Sequence, residues 1–309
     1  MAEGEHPAAA APSESRCGFI AVIGAPNAGK STLVNTLVGA KVSIVSRKVQ
    51  TTRMPLRGIA IEGASQLVFI DTPGIFAPRR RLDRAMVEAA WGGATDADIV
   101  VLLVDAASGL NEEVERILTK LAGARTPLLL ALNKIDRVRK ESLLDLARHL
   151  NERVPFKDTF MISALNGDGV GDLKSHLAGI VAPGPWHYPP DEVSDAPLRV
   201  LAAEVTREKV FERLHDELPY ETTVETTAWV EQQRSVRIEQ TIYVQRDSQK
   251  AIVLGAGGRM IRQISMQSRQ ELTQIVEKPV HLFLFVKVRE NWGNDPERYR
   301  EMGLNFPKD

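Results

Sequence analysis

The sequence predicts two domains in tandem: an α/β domain on a mostly parallel sheet with one antiparallel edge, then a smaller α+β module. Three observations predict this. Short, nearly uninterrupted apolar runs alternate with helical patterns through the first half, as expected for strands buried on both faces and joined by helical crossovers. A proline-rich stretch then breaks the pattern. Beyond it, two β-branched runs and a long amphipathic helix replace the alternation.

Residues 1–16 are rich in Ala, Pro and Ser and carry Glu3, Glu5 and Glu14. They lack the basic start and apolar core of a secretory signal and the arginine-rich character of a mitochondrial presequence, so a disordered tail and a cytoplasmic protein are expected. Apolar runs at 19–23, 67–70, 99–104, 128–132 and 160–162 are the candidate strands of the parallel sheet. The runs at 59–61 and 67–70, separated by Glu62-Gly63-Ala64-Ser65, read as a hairpin that adds the antiparallel edge. From Ala182-Pro183-Gly184-Pro185 to Pro197 the chain holds five prolines, which marks a linker or an irregular strap. Leu198, Leu201, Ala202 and Val205 then fit a helix face, continued loosely by Phe211, Leu214 and Leu218. Residues 222–230 and 236–244 read as strands, and 280–288 as a third. Between them 259–276 reads as a helix with Ile261, Ile264, Leu272 and Ile275 on one side. The module is thus helix, strand, strand, helix, strand. Residues 291–309 read as a tail that packs or wraps.

A net charge of −1 supplies no bulk attraction for nucleic acid or membrane, so any such partner must meet a local patch. The single cysteine, Cys17, excludes an internal disulfide and a Cys-type zinc site. The apolar runs fall far short of the roughly 18 residues that a membrane span needs.

Gly24-Ala25-Pro26-Asn27-Ala28-Gly29-Lys30-Ser31 fits the phosphate-loop pattern, and Thr32 with Leu33, Val34 and Leu37 opens the helix that must follow it. Its glycines let several N–H groups converge on phosphate oxygens, and the helix N-terminus adds positive potential. Lys30 is placed to reach the β/γ-phosphates and Ser31 to hold Mg²⁺. Asp71-Thr72-Pro73-Gly74 follows the run at 67–70. Its acid can hold the Mg²⁺, and the Gly74 N–H can meet the γ-phosphate. Asn133-Lys134-Ile135-Asp136 follows the run at 128–132. Guanine offers N1–H and its 2-amino group as adjacent donors, which one carboxylate accepts together; Asp136 suits that task. Asn133 can reach the other edge of the base, and the Lys134 stem can cover the ring. Ser163-Ala164-Leu165 would add the Ala164 N–H to the guanine carbonyl.

Four ordered motifs at strand ends resemble the GTPase superfamily in its translation-factor-related branch, over residues 17–181. The resemblance implies a Ras-like P-loop fold, GTP and GDP as ligands, and Mg²⁺ held by Ser31, Asp71 and a switch threonine. Ser46-Arg47-Lys48-Val49-Gln50-Thr51-Thr52-Arg53 is the switch candidate, with Thr52 the first choice and Thr51 the next. The glutamine that orients water in Ras is replaced here by Ile75, so slow intrinsic turnover is expected. Relatives with Pro-Asn-x-Gly-Lys-Ser hold a potassium ion with that asparagine, which places Asn27 beside Lys30, Thr52 and Gly74 among the catalytic candidates and adds K⁺ to the expected cofactors.

In the second module, Gly255-Ala256-Gly257-Gly258 is a G-x-x-G turn between two helical segments, the loop with which KH domains clamp nucleotides. Residues 191–309 hold 20 acids against 17 bases, yet 250–289 concentrates Lys250, Arg259, Arg262, Arg269, Lys278, Lys287 and Arg289 against Glu271 and Glu277. That local basic face suits a phosphate-tracking groove. Ser46–Arg53, Leu218-Pro219-Tyr220, this loop, the run 279–288 and an Asn-Trp turn together resemble the Era-like GTPase family over about residues 17–305. The resemblance divides the chain into a tail (1–16), a GTPase domain (17–181), a linker (182–197), a type II KH domain (198–290) and a C-terminal tail (291–309). It implies binding to the 3′ end of 16S ribosomal RNA and a role in assembling the 30S subunit. It also implies peripheral membrane association and a monomeric state. Family loops usually carry a lysine between the glycines; Ala256 and Gly257 stand there, so Arg259 and Arg262 are expected to bear more of the attraction. Competing readings are an RNA-binding assembly factor with an inactive nucleotide site, a tRNA-modifying GTPase, which leaves the G-x-x-G module unexplained, and a small-molecule kinase, which the Asn133/Asp136 pair disfavours.

Overall fold

The computed structural model describes residues 14–307. The chain forms two compact units. One takes in the chain up to Val42, Met54–Ala77 and Met86–Asp195; the other takes in Ser43–Arg53, Pro78–Ala85 and the chain from Ala196 onward.

In the first unit, β1 (Arg16–Ile23), β2 (Leu56–Glu62), β3 (Ser65–Asp71), β4 (Ile99–Asp105), β5 (Leu128–Asn133) and β6 (Asp158–Met161) form one sheet in the order β2-β3-β1-β4-β5-β6. Only the β2/β3 pair is antiparallel. Each expected strand run is present, and the hairpin turns at Gly63. Helices α1 (Lys30–Val38), α2 (Arg81–Asp96), α3 (Glu112–Leu121), α4 (Lys140–Arg153) and α5 (Val170–Ile180) make the crossovers. Successive strand residues point to opposite faces. Ile20 and Val22 therefore pack with Leu33 and Leu37 of α1 and Leu173 and Leu177 of α5, whereas Ala21 and Ile23 pack with Ile117 of α3 and Leu150 of α4. Both faces are dry, which is why these strands read as continuous apolar runs. Parallel pairing also gathers the strand ends after Ile23, Asp71, Asp105 and Asn133 along one rim, where loops can converge on a ligand.

The proline-rich stretch is a strap on this unit. The Trp186 indole N–H donates to the Ala64 carbonyl at 3.0 Å, and the Gln66 carboxamide accepts the His187 and Tyr188 N–H groups at 2.8 and 3.0 Å. Ile59 N–H donates to the Val193 carbonyl at 2.9 Å, and Arg57 pairs with Asp195 at 2.8 Å. At the N-terminal end, β1 begins at Arg16 and the Ser15 hydroxyl donates to the Gly184 carbonyl at 2.9 Å. The rest of the expected disordered tail, residues 1–13, lies outside the described residues.

In the second unit, α6 (Leu198–Arg213), β7 (Thr223–Glu231), β8 (Val236–Val244), α7 (Asp247–Leu254), α8 (Arg259–Val276), β9 (Val280–Val288) and α9 (Pro296–Glu301) follow one another. The sheet order is β7-β8-β9, with β7/β8 antiparallel and β8/β9 parallel. Helix α7, eight residues long, is the helical segment expected before the G-x-x-G turn, although the element order read from the sequence left it out, as it did α9. Helix α6 ends at Arg213, and Leu214 and Leu218 reach the core beside Ile242 and Ile264 from extended and 3-10 backbone instead. The C-terminal segment packs down: Trp292 and Tyr299 are buried, and the Trp292 indole donates to the Glu221 carbonyl at 2.9 Å. No helix among the described residues is long and apolar enough to cross a membrane.

Candidate functional site

The rim of the first sheet carries the predicted nucleotide residues. Gly29 stands at φ 99°, a left-handed conformation, and a Cβ there would lie 2.4 Å from the Asn133 amide nitrogen, so only glycine fits. No side chain caps α1, which leaves its first N–H groups for an anion. Lys30 is buried and its ammonium spans the loop, donating to the carbonyls of Gly24 at 3.2 Å and Ala25 at 3.0 Å. Burial pushes it down to about 8, against the opposing pull of Asp71.

This sets a pH dependence. Between about 8 and the ordinary 10.5 the unfolded chain keeps a proton that the folded protein lacks, so stability of the ligand-free protein rises with pH across that window. A polyphosphate reverses the preference by favouring the ammonium. GDP affinity should therefore be flat below pH 8 and fall above it, approaching about tenfold per pH unit, with proton uptake on binding. Calorimetry in two buffers of different ionisation enthalpy reads both quantities; constant affinity from pH 7 to 9.5 would contradict the assignment.

Ser31 and Asp71 come together as expected, the hydroxyl donating to the carboxylate at 2.7 Å. Among the described residues no group of three or more His, Cys, Asp or Glu is arranged to hold a metal ion. One hydroxyl and one carboxylate beside a phosphate loop are the sparse oxygen set that suits Mg²⁺, whose shell is completed by phosphates and water. Ser31 and Asp71 would hold the ion, which when bound neutralises charge building on the phosphates. Thr72 anchors its loop by donating to the Val22 carbonyl at 2.8 Å, and the Ile75 N–H donates to the Gly24 carbonyl at 3.0 Å. The loop thereby lies against the phosphate loop, and a Cβ on Gly74 would stand 3.0 Å from Pro26. Ile75 is buried in the core, so it orients no water.

At the base end, the Ser163 hydroxyl donates to the Asp136 carboxylate at 2.7 Å and so aims it. Asn133 ties three loops together: its amide donates to the Ala28 carbonyl at 2.8 Å, and its oxygen accepts the Ala164 N–H at 2.9 Å. That N–H, expected to meet the guanine carbonyl, is thus engaged here by Asn133. Leu165 is exposed. Lys134 crosses the rim to donate to the Asn27 carbonyl at 2.7 Å and to pair with Asp105 at 2.6 Å. Asp105 was missed from sequence, although it ends the run 99–104 much as Asp71 ends its own run. Asn27 is exposed at φ 59°, a conformation asparagine tolerates.

The switch candidate belongs to the second unit, so Thr52 is not grouped with Ser31 and Asp71. Thr52 and Arg53 are buried there. The Arg53 guanidinium donates to the carbonyls of Thr222 at 2.8 Å, Pro219 at 3.2 Å and Tyr220 at 3.3 Å. It lies 5.6 Å from the Phe211 ring centre and 5.5 Å from that of Trp292. Burial pushes it down to about 9, with neighbouring Arg207 adding to the effect and Glu204 opposing it. Arg207 pairs with Glu204 and donates to the Thr51 carbonyl at 2.6 Å, while Lys48 donates to the carbonyls of Phe211 and Leu214. Nothing in the local sequence announces these partners.

In the same unit, Gly255 closes α7 at φ 70°, where a Cβ would stand 2.7 Å from Met260 Cβ. Gly258, in the left-handed region, opens α8 without a side-chain cap, so the helix presents free N–H groups at its start. Ala256 and Gly257 are exposed at the tip. Arg262 is exposed, and so is Arg259, although its Nε donates to the Ala256 carbonyl at 3.2 Å.

Comparison with known proteins agrees with this arrangement. Residues 19–134 match the family model described as 50S ribosome-binding GTPase, and residues 217–293 match the KH domain. The chain is 62% identical over 300 residues to GTPase Era of Bradyrhizobium diazoefficiens, covering 97% of each. It is 61% identical over 309 residues to GTPase Era of Rhizobium meliloti, covering 100% of this chain and 99% of that one. Among solved structures, Era in complex with MgGDPNP and nucleotides 1506–1542 of 16S ribosomal RNA superposes with a TM-score of 0.89 at 34% identity, covering 94% of this chain and 99% of that one. A variant of Aquifex aeolicus Era bound to GDP and AlF₄⁻ gives 0.88 at 34% identity, covering 93% and 99%. With the phosphate-loop pattern, the Asp136 carboxylate held by Ser163 and a G-x-x-G turn in one chain, and identity of this order over nearly its whole length, the chain belongs to the Era family of GTPases.

Proposed function

We propose that this protein binds and hydrolyses GTP and uses the cycle to control its grip on the 3′ end of 16S ribosomal RNA during assembly of the small subunit. The observation that carries the reading is the Asp136 carboxylate, aimed by Ser163 on the rim that also holds Lys30, Ser31 and Asp71. The relative solved with MgGDPNP and this RNA supports the second half. Lys30 stabilises charge on the transferring phosphate, the Gly74 N–H reads the γ-phosphate, and Thr52 senses it. Thr52 lies in the same compact unit as the G-x-x-G loop, which supports a route from nucleotide state to RNA affinity. Asn27, exposed on the phosphate loop, is the position from which a monovalent cation such as K⁺ would add positive charge. Work in the cytoplasm as a monomer, with contact to the 30S subunit and peripheral attachment to the membrane, completes the reading.

The test is direct. A labelled single strand ending in the ribosomal 3′ sequence should bind with different affinity when the protein carries GDP or a non-hydrolysable GTP analogue. Equal affinities, or no phosphate release even with 30S subunits added, would reduce the nucleotide site to a structural part. Single-turnover hydrolysis should be faster in K⁺ than in Na⁺, and Asn27→Ala should erase the difference; equal rates in the parent protein remove K⁺ from the scheme.

A further inference from the structure

The outer face of the β7-β8-β9 sheet carries two phenylalanines that the RNA loop does not use. Phe283 is 45% exposed and Phe285 48%, although both sit in the middle of a strand whose neighbours Leu282 and Val286 are buried. They lie on β9, an edge strand, and pair in register with Glu239 and Thr241 of β8. Positions two apart on a strand point the same way and stand about 6.8 Å apart, close to two base-stacking steps. The Arg237 guanidinium already lies over the Phe283 ring, 4.8 Å from its centre, so this face accepts a flat, positively polarised group.

The rest of the face decides what it fits. Tyr243, further along β8, is covered by Arg289 and Arg298 of the C-terminal segment, with Arg298 paired to Glu225. That end is closed. Around the phenylalanines stand Arg237, His281 and Lys287, all exposed. Both carboxylates on this face are neutralised by arginines: Glu239, in register with Phe283, pairs with Arg237 at 2.6 Å, and Glu225, one strand beyond Thr241, pairs with Arg298 at 2.8 Å, while Lys287 has no ion pair among the described residues. Two half-exposed rings with a cationic border are too small and too charged for the core of a stable protein interface, which needs roughly 800 Å² per partner and excludes charge from its centre. Aromatic planes among cations are what single-stranded nucleic acid uses: each ring stacks a base and the cations meet phosphates. RRM domains place their stacking aromatics in this way, two apart on an exposed strand.

We infer that Phe283 and Phe285 form a second RNA-contacting platform, which stacks single-stranded bases beyond those clamped at Gly255–Gly258. The inference rests on the RNA-binding reading of that loop. KH loops hold about four nucleotides, so the platform takes only longer strands. Fluorescence anisotropy on the full chain, with a four-nucleotide and a twelve-nucleotide RNA ending in the same 3′ sequence, tests it. Phe283→Ala with Phe285→Ala should weaken the twelve-mer about tenfold or more, leave the four-mer within twofold, and leave thermal unfolding nearly unchanged. Phe285→Trp should keep the affinity, and its emission should be quenched by the twelve-mer. Unchanged twelve-mer affinity in the double variant overturns the platform. So does a concentration-dependent dimer of the parent that the double variant abolishes, because the face would then belong to a second copy of the chain. Gly258→Asp separates the two readings: if it leaves four-mer binding intact, the loop reading fails, while quenching of the Trp variant still judges the sheet.

Discussion

Asp136→Asn should lower GDP and GTP affinity by about a hundredfold and give xanthosine nucleotides the advantage. In the proposed site the carboxylate would accept two adjacent donors from guanine, each a charge-assisted bond of roughly 1.5–3 kcal/mol. An amide keeps one acceptor and turns its NH₂ toward the guanine 2-amino group, donor against donor. Xanthine carries a carbonyl there instead, which restores the pair. Ser163 can still donate to the new amide oxygen, as it does to the carboxylate now at 2.7 Å, so the loop should hold its shape. Competition of GDP and XDP for the site, read with a fluorescent nucleotide, measures the exchange. A variant that binds GDP like its parent, or XDP no better than its parent, would remove Asp136 from base selection.

Gly255→Asp combined with Gly258→Asp should abolish binding of the ribosomal 3′ strand and leave GDP affinity within twofold. The two substitutions act differently. Gly255 has no space for a side chain, so its replacement displaces the turn against Met260. At Gly258 the Cβ would meet only Ile261, at 4.0 Å, and aspartate tolerates the left-handed region, so the backbone survives. A carboxylate then stands at the start of α8, where an RNA phosphate would sit, and like charges repel. Gly258→Asp alone should therefore account for most of the loss, in a protein whose thermal midpoint barely moves. Tight RNA binding by the pair would exclude this loop from the interface.

Much of the first unit was legible because its chemistry is local. A buried parallel strand advertises itself as an apolar run, and each motif residue sits at the end of such a run, so the rim could be assembled from spacing alone. What stayed hidden depends on contacts far apart in sequence. Ser163 belongs to a tripeptide read as a base contact through the Ala164 N–H, yet in the fold its own hydroxyl aims Asp136. Asn133 reads the same way and proves to join the phosphate loop to Ala164. Helix α7 showed as a helical segment before the turn but not as an element of the order, because eight residues offer too little periodicity to bound it. The prolines at 183–197 marked an irregular segment, but its hydrogen bonds to Ala64 and Gln66 follow from the hairpin's geometry. Arg53 looked like one more polar residue of a loop, and its acceptors lie 166 to 169 positions away.

Those acceptors have a genetic corollary. Pro219, Tyr220 and Thr222 hold the guanidinium through main-chain oxygens, which every amino acid possesses. Changing their side chains leaves the oxygens in place, whereas changing Arg53 removes all three bonds at once. Random mutagenesis selected for release of the segment should return residue 53 repeatedly, and suppressors of such alleles should not restore the contact by altering those three positions.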